Sequence, residues 1–444
     1  MFVGPDGRLV AHPLAATGPT AIVDLAGLAR LFATPVLLGE FAPSSYWRGV
    51  ELVWPHPQPA SSDGGDLVEA FAAAVARSVG DADQVAVLLS GGIDSLAVLW
   101  HVLALDAVRQ VHAFTANLVD DTRASAAAVV ARLLDDLGLS NRVTLHIVEP
   151  DRCLATPAWS PYGPRLDALP AVNATIARLA AQVGANVMLS GSGADELMSA
   201  PRYAVAEVAA LHGRRAARQY VSDIAGAGHG RTGEYAALAM RFLPGDLRTR
   251  AYAAVTWPEW CAPLVSPVVA PRWRDDALTW ARQWVADVLD GHTIAQRTWA
   301  MAFARDCWWP RAYLPPAGPV AEGSPFCDRD FVAAVCAKPL GERYDPVGRS
   351  PYLRVKGMVA ALFPPDVRAK LPVAKRYYTG ALARAYAGPA AAPTAAAVGL
   401  LDPTAVAATE CVATKMTTAA VEAWLSGAVA AGADVGSASQ NEAI

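Results

Sequence analysis

The stretch LLSGGIDSLAVLW, residues 88–100, constrains the fold more than any other part of the sequence. It predicts an apolar strand that ends at Leu89 and a helix that opens at Asp94, with two adjacent glycines in the turn between them. Glycines let a backbone approach a ligand closely, and the first turn of a helix offers unsatisfied N–H groups to an anion. The pattern therefore predicts a phosphate-binding turn. Its spacing differs from the GxxxxGK[ST] loop of common nucleotide hydrolases and from the GxGxxG turn of dinucleotide-binding proteins.

Short apolar runs alternate with helical stretches from about residue 84, as is typical of a parallel sheet covered by helices. Four of these runs are predicted strands, at residues 84–89, 111–118, 143–148 and 186–191. Helical periodicity dominates residues 203–312, so the second half of the chain is predicted to be mostly helical. We therefore expect an α/β fold with an open parallel sheet and flanking helices. Such sheets bind ligands at the carboxyl ends of their strands.

A second turn, SGSGADEL at residues 190–197, also follows an apolar strand and opens a helix. On a parallel sheet both turns can face one ligand. An aspartate beside phosphates makes physical sense if a cation bridges the two, and Mg²⁺ prefers oxygen ligands. The alternative for Asp94 and Ser95 is a simple helix cap, and for Asp195 an acidic residue favoured by the helix dipole. Taken alone, the second turn leaves both interpretations of Asp195 open.

The two turns carry a family resemblance. SGGIDS resembles the SGGxDS loop of the N-type ATP pyrophosphatases, which split ATP into AMP and pyrophosphate, and SGSGADEL resembles the SGxGxDEL segment of the asparagine synthetase superfamily. The resemblance implies ATP and Mg²⁺ as cofactors, with Asp94 and Asp195 as metal ligands. The nucleotide-binding residues predicted on this basis are Leu89, Ser90, Gly91, Gly92, Asp94, Ser95, Phe114, Thr115, Ser190, Gly191 and Gly193.

Further along the chain, EGSPFCD at residues 322–328 resembles the ExRxPFLD segment of the same superfamily. One residue is missing between the glutamate and the proline, and the arginine of the pattern is absent. Glu322 is thus a candidate catalytic residue that faces the bound substrate, or a solvated loop carboxylate. The sequence leaves both interpretations open.

The stretch LFPPDVRAKLPVAKRYYTGAL resembles the LPxxVxxRxxKxxF segment of the superfamily, in which a lysine reaches the phosphates. An ammonium group suits that position because it is a compact charge with three donors. Spacing from Pro365 and the aromatic pair Tyr377 and Tyr378 favour Lys375, whereas the local pattern around Arg368 favours Lys370. Both lysines are predicted as catalytic candidates.

Upstream, the segment SSYWRGVELVWPHP resembles the closing strands of the glutaminase domain that precedes the synthetase domain in asparagine synthetases. That domain uses an N-terminal cysteine, whereas this chain begins with Met1 and Phe2. We therefore expect no glutamine hydrolysis, and an amine that comes from free ammonia or from the substrate. The predicted organisation is a truncated, β-containing glutaminase-like remnant over 1–70, an ATP-dependent synthetase domain over 71–430 and a disordered tail over 431–444.

Superfamily members that use an amine of their own substrate include β-lactam and carbapenam synthetases and the lasso peptide cyclases. The run AKRYYTGALARAYAG followed by VGLLDPTAV resembles the cyclase pattern. The β-lactam enzymes use a tyrosine–glutamate dyad, and Tyr313 is too close in sequence to Glu322 to match it. We therefore expect an AMP-forming carbon–nitrogen ligase that closes a macrolactam in a ribosomal peptide. The alternatives are a β-lactam or carbapenam synthetase-like ligase and an ammonia-dependent asparagine synthetase-like ligase.

Charge and composition limit the partners of the chain. With 37 basic and 41 acidic residues the formal net charge is -4, which argues against nucleic acid and against the tRNA-modifying branch of the SGGxDS enzymes. No signal peptide or membrane span is recognisable, so we expect a cytoplasmic enzyme. The expected partners are a peptide or a small carboxylate and amine substrate, with a leader-binding protein and a protease of the same pathway.

Overall fold

A computed structural model describes residues 1–17, 20–34, 45–53, 65–201, 204–226, 231–240, 242–244, 247, 250–251, 262–294 and 318–435. The strands in this part of the chain are β1 (Phe2–Val3), β2 (Leu9–Val10), β3 (Glu51–Leu52), β4 (Gln84–Leu88), β5 (Gln110–Ala116), β6 (Thr144–Val148), β7 (Val187–Leu189) and β8 (Ala321–Gly323). A small antiparallel sheet has the order β2-β1-β3. The main sheet is parallel throughout, in the order β6-β5-β4-β7-β8.

Helices surround the main sheet and make up most of the described second half. Their bounds are α1 (Leu25–Arg30), α2 (Leu67–Val79), α3 (Ile93–Val102), α4 (Ala126–Asp136), α5 (Pro170–Gln182), α6 (Ala194–Met198), α7 (Val205–Gly226), α8 (Arg231–Met240), α9 (Pro271–Ile294), α10 (Arg329–Cys336), α11 (Pro351–Val355), α12 (Gly357–Ala360), α13 (Pro365–Arg368), α14 (Thr379–Ala385), α15 (Pro393–Ala397), α16 (Pro403–Ala408) and α17 (Val412–Ala430). Helix α7 is kinked at Gly213, where φ is +83°.

Local capping explains where several helices begin and end. Asp66 caps α2 by accepting the N–H of Val68 at 2.8 Å, and Gly80 ends that helix with φ of +58°. Ser125 caps α4 in the same way as Asp66 caps α2. Such caps satisfy backbone groups that have no partner inside the helix. The bounds of these two helices are therefore determined by residues close to them in sequence.

Both faces of the main sheet are buried. Val85, Val87 and Leu89 pack with α2, α3, α4 and α10 on one face, and Ala86 and Phe114 pack with α5 on the other. A parallel sheet covered on both faces leaves its strand ends as the accessible places for ligands. The glycine turns lie at the carboxyl ends of β4 and β7, so the fold presents them together at one edge.

A separate apolar core joins the N-terminal strands to the C-terminal helices. Phe2 and Trp47 are buried together with Leu400 and Trp424. The chain end beyond α17 takes part as well, because the N–H of Asp434 donates to a backbone carbonyl of the N-terminal segment at 2.9 Å. Residues 436–444 of the predicted tail lie outside the described residues.

The α/β prediction is confirmed, including the open parallel sheet and the helical second half. The four predicted strands are present with ends shifted by one or two residues. The sequence reading missed β8, a short edge strand that pairs with β7 through Val187–Ala321 and Leu189–Gly323. None of the helices in the described ranges combines the length and the apolar character needed to cross a bilayer.

Candidate active site

The first glycine turn links β4 to α3 and is closed by its own hydroxyl groups. Ser95 Oγ accepts the N–H of Ser90 at 3.2 Å, lies 3.2 Å from Ser90 Oγ and donates to the carbonyl of Gly92 at 3.3 Å. Gly91 has φ of +79°, a conformation that glycine adopts at little cost. These bonds and the glycine conformation fix the shape of the turn at the start of α3, where backbone N–H groups can face an anion.

The second turn packs directly against the first. A Cβ atom on Gly191 would lie 2.5 Å from the backbone nitrogen of Ser95 and 2.7 Å from the carbonyl carbon of Asp94. Only glycine permits that approach. Gly193, with φ of +88°, caps the short helix α6 that carries Asp195. The two predicted turns therefore form one continuous surface at the edge of the sheet.

Asp94 and Asp195 are brought to a common point, and a lysine lies between them. Lys356 Nζ is 2.7 Å from an oxygen of Asp94 and 2.7 Å from an oxygen of Asp195. Its side chain is 3% exposed, against 21% for Asp94 and 43% for Asp195. Lys375 Nζ approaches the other oxygen of Asp195 at 3.0 Å. Two carboxylates and two ammonium groups thus form one charge cluster.

Burial and neighbouring charges shift the pKa values of this cluster in different directions. Burial raises the pKa of Asp94, and the nearby Lys356 ammonium offsets only part of that effect. For Asp195 burial acts in the same sense, but Lys356 and Lys375 together hold its pKa well below the usual range. Burial alone would lower the pKa of Lys356, yet the two carboxylates raise it overall. The ammonium of Lys356 is therefore fully protonated at neutral pH.

The two lysines predicted from the sequence lie in different surroundings. Lys375 joins the cluster through Asp195, whereas Lys370 is exposed and makes no side-chain hydrogen bond or ion pair within the described ranges. The structure thus places Lys375, and not Lys370, beside the predicted metal ligands.

Sequence reasoning missed Lys356. It lies between α11 and α12 in the apolar run YLRVKGMVAALF, and a lysine is almost never fully buried unless it is paired. A lysine within an apolar run therefore indicates, from the sequence alone, a buried and paired ammonium group. The carboxylate partners of Lys356, however, are 262 and 161 positions away in the chain, and no local pattern identifies them.

A cavity of about 180 Å³ adjoins the first turn. Its lining includes the predicted nucleotide-binding residues Leu89, Ser90, Phe114 and Thr115. Tyr378 also lines it, and the Tyr378 hydroxyl is buried without a hydrogen-bond partner in the part of the chain that the structure describes. The cavity thus combines apolar walls with an unsatisfied polar group, as a site for a planar heterocycle would.

A larger groove of about 620 Å³ lies beyond the wall formed by residues 118–126 and 376–378. Lys375 and Lys370 both line it. The wall is held by an ion pair between Arg376 and Asp120 and by a hydrogen bond from the N–H of Asp121 to a backbone carbonyl at 2.9 Å. The groove is therefore lined by residues of α4 on one side and by the segment that carries Lys375 on the other.

Glu322 lies on β8, next to the second turn, and is engaged by an arginine. Arg165 donates to its two oxygens at 2.9 and 2.8 Å and also pairs with Asp167. The N–H of Ser190 donates to the carbonyl of Gly323 at 3.0 Å, which ties β8 to that turn. An arginine from another segment thus meets this glutamate, although the local sequence motif lacks one.

The donor set fits a magnesium ion bound together with phosphates. Mg²⁺ is commonly held by one or two carboxylates plus phosphate oxygens and water, and Asp94 and Asp195 beside the glycine turns could supply the two carboxylates. Across the described ranges, no group of three or more histidine, cysteine, aspartate or glutamate side chains forms a cluster suited to a metal. Tyr313, the tyrosine considered for a β-lactam-type dyad, lies outside the described residues.

Comparison with known proteins agrees with this geometry. No curated protein matches the sequence significantly. A protein-family model described as asparagine synthase matches residues 66–314, which is more than half of the chain and includes β4 to β7 with both glycine turns. The chain therefore belongs to the asparagine synthase family, which supports ATP-dependent amide ligation as its general chemistry.

Proposed function

We propose that this chain activates a carboxylate with ATP and joins it to an amine of the same substrate, closing a macrolactam in a peptide. The observation that carries the proposal is the meeting of Asp94 and Asp195 with Lys356 and Lys375 at two fused phosphate-binding turns. The adenine ring would occupy the cavity of about 180 Å³, with Tyr378 available to its polar edge.

The residues suit carboxylate adenylation. A carboxylate oxygen would attack the α-phosphorus, and the bond from that phosphorus to the pyrophosphate oxygen would break. The N–H groups at the start of α3 and the Lys375 ammonium would neutralise the charge that grows on pyrophosphate. Mg²⁺, bound by Asp94 and Asp195, would supply further charge neutralisation on the phosphates. The substrate amine would then displace AMP from the acyl-adenylate.

One observation bears on the size of the substrate and one on the β-lactam alternative. The groove of about 620 Å³ beside Lys375 lies within the roughly 300–1,000 Å³ of ordinary ligand pockets, so it has room for part of a peptide as well as for a small carboxylate. Glu322 is paired on both oxygens by Arg165, so it is not poised as the carboxylate of a tyrosine–glutamate base. Ring closure would depend mainly on holding the two reacting ends together and on excluding water.

ATP–pyrophosphate exchange tests the adenylation step. Exchange should require Mg²⁺ and a carboxylate substrate, and Lys375→Met should lower its rate by about 100-fold. Lys370→Met is the matched control, because Lys370 lies in the same groove but away from the aspartates. An equal loss of exchange rate in the two variants would contradict the role assigned to Lys375.

The substrate class needs a separate measurement. Candidate precursor peptides, including those encoded beside this gene together with a small protease and a leader-binding protein, would be incubated with the enzyme and ATP. We expect a product lighter by one water that resists carboxypeptidase, as a closed ring does. Formation of asparagine from aspartate and ammonia would instead establish the ammonia-dependent ligase, and a bicyclic lactam from a small amino acid would establish the β-lactam type.

A further inference from the structure

The Lys356 ammonium occupies the space between Asp94 and Asp195. It contacts one oxygen of each carboxylate at 2.7 Å and is almost completely buried. A divalent cation that bridged the same two carboxylates would need the same space. The proposed metal ligands are therefore already neutralised by a side chain of the protein itself.

The backbone that carries Lys356 is held firmly on both sides. The carbonyl of Val355 accepts the N–H of Ala200 at 2.8 Å. Arg354 pairs with Asp223 through two hydrogen bonds of 2.6 and 2.7 Å. On the other side, a Cβ atom on Gly357 would lie 2.5 Å from the Cβ atom of Asp345, so the chain passes this point in close contact. These contacts fix the backbone from which the Lys356 side chain reaches the two carboxylates.

The charges of the cluster sum to zero without any metal. Asp94 and Asp195 carry two negative charges, and Lys356 and Lys375 carry two positive charges. A free divalent cation at the same point would leave a net charge of about +2 in a poorly solvated place, which is costly. A cation that arrives with the phosphates of ATP brings its own compensating negative charge.

We infer that Lys356 is a resident counter-ion that keeps free divalent cations out of the aspartate pair, so that the metal enters only together with nucleotide phosphates. The inference rests on the proposed function, which makes Asp94 and Asp195 the metal ligands. Lys356 is thus a positioning residue: it holds the two carboxylates in place before binding and turns toward the phosphates when the nucleotide complex arrives. Free metal would then not bind ahead of the nucleotide.

Binding of Mn²⁺ alone, followed by electron paramagnetic resonance without nucleotide, tests the inference. The wild-type enzyme should bind Mn²⁺ weakly, and Lys356→Met should tighten that binding by about tenfold or more, because two adjacent carboxylates lose their counter-ion. Lys370→Met is the matched control and should bind Mn²⁺ as the wild type does. In Lys356→Met, a further Asp195→Asn change should remove the added affinity.

Thermal unfolding gives a second readout. Without metal, Lys356→Met should unfold at a lower temperature than the wild type, and Mn²⁺ should restore its stability while leaving the wild type unchanged. If Lys356→Met does not fold, the binding of Mn²⁺ to the wild-type enzyme still tests the inference. Tight nucleotide-free binding of one Mn²⁺ that Asp195→Asn abolishes in the wild type would overturn the inference.

The two proposals fail in distinguishable ways. Equal Mn²⁺ affinity in the wild type and Lys356→Met, with binding of Mn²⁺–ATP still dependent on Asp195, would overturn the counter-ion inference alone. Binding of Mn²⁺–ATP that is insensitive to both Asp94→Asn and Asp195→Asn would overturn the proposed metal site, and the inference with it.

Discussion

At the scale of single residues, three lysines close together in the sequence differ in their contacts with the two aspartates and in their exposure to solvent. Lys356, Lys370 and Lys375 lie within 20 positions of one another, and each carries the same charge. Lys356 and Lys375 contact the aspartates, whereas Lys370 does not. The two contacting lysines differ in solvent exposure, because the Lys356 side chain is 3% exposed and the Lys375 side chain is 44% exposed. A buried ion pair is held more rigidly and is screened less by salt than an exposed one.

Asp120 provides a pH-dependent test at the same scale. Hydrogen bonds, first from the Thr122 hydroxyl and then from backbone N–H groups and Arg376, lower its pKa to about 2. A carboxyl whose pKa is lower in the folded state stabilises the fold above its unfolded pKa, and this contribution disappears as the pH falls through the folded value. Asp120→Asn should therefore be less stable than the wild type in urea by a constant amount between about pH 5 and 8.

The difference between Asp120→Asn and the wild type should shrink from about pH 4 down to about pH 2. Asp106→Asn is the control, because Asp106 is exposed and forms no hydrogen bond or ion pair in the part of the chain that the structure describes. A stability difference that stays the same at low pH would contradict the role assigned to the Asp120 carboxylate.

At the scale of elements, the two strand–turn–helix units are the parts most completely predicted from the sequence. Each turn depends on a glycine. One glycine is needed for its own backbone conformation, and the other is needed because a segment distant in sequence packs against it. Gly91 is required for its positive φ, which neighbouring residues determine. Gly191 is required because the backbone of Ser95 lies against it, which only the packing of β4 beside β7 brings about.

Gly191→Ala tests that contact. The added methyl group would meet backbone atoms at 2.5 and 2.7 Å, so the two turns must separate. We expect a loss of about 1–3 kcal/mol in the free energy of unfolding, together with at least roughly a tenfold loss of ATP–pyrophosphate exchange. Gly388→Ala is the control, since a Cβ atom there meets nothing within 4 Å and φ is not positive. Wild-type exchange in Gly191→Ala would show that the turns need not touch.

At the scale of the whole molecule, contacts between distant segments align the site. Helix α7 reaches the segment that carries Lys356 through Asp223, which accepts hydrogen bonds from Arg354 and from the Tyr344 hydroxyl. Asp223 is 6% exposed. Helix α7 thus holds the segment from which Lys356 reaches the two aspartates.

Asp223→Ala should be strongly destabilising, because it leaves Arg354 charged and without its partner in a largely buried place. We expect a loss of about 3–5 kcal/mol in the free energy of unfolding. Asp276→Ala is the matched control: its ion pair with Arg30 is partly exposed and should contribute about 0–1 kcal/mol. Chemical denaturation of both variants measures the two changes in the free energy of unfolding. Similar changes would show that the buried Asp223–Arg354 pair contributes no more to stability than the partly exposed pair.

The α/β class, four of the five strands of the main sheet and both glycine turns are predictable from local sequence alone. These features arise from neighbouring residues, since apolar periodicity, caps and glycine conformations act over a few positions. The sequence also indicated Lys375 and Lys370 as candidates without deciding between them. The edge strand β8 escaped prediction because its three residues, Ala-Glu-Gly, carry no apolar alternation and gain their pairing only from β7.

Which charges meet depends on how distant segments of the chain pack together. Lys356 joins Asp94 across 262 positions, Lys375 joins Asp195 across 180, and Arg165 reaches Glu322 across 157. A linear pattern contains no distances between residues so far apart. Those distances are set when the sheet and the helical half pack together, and burial then determines how strongly each pair of charges interacts.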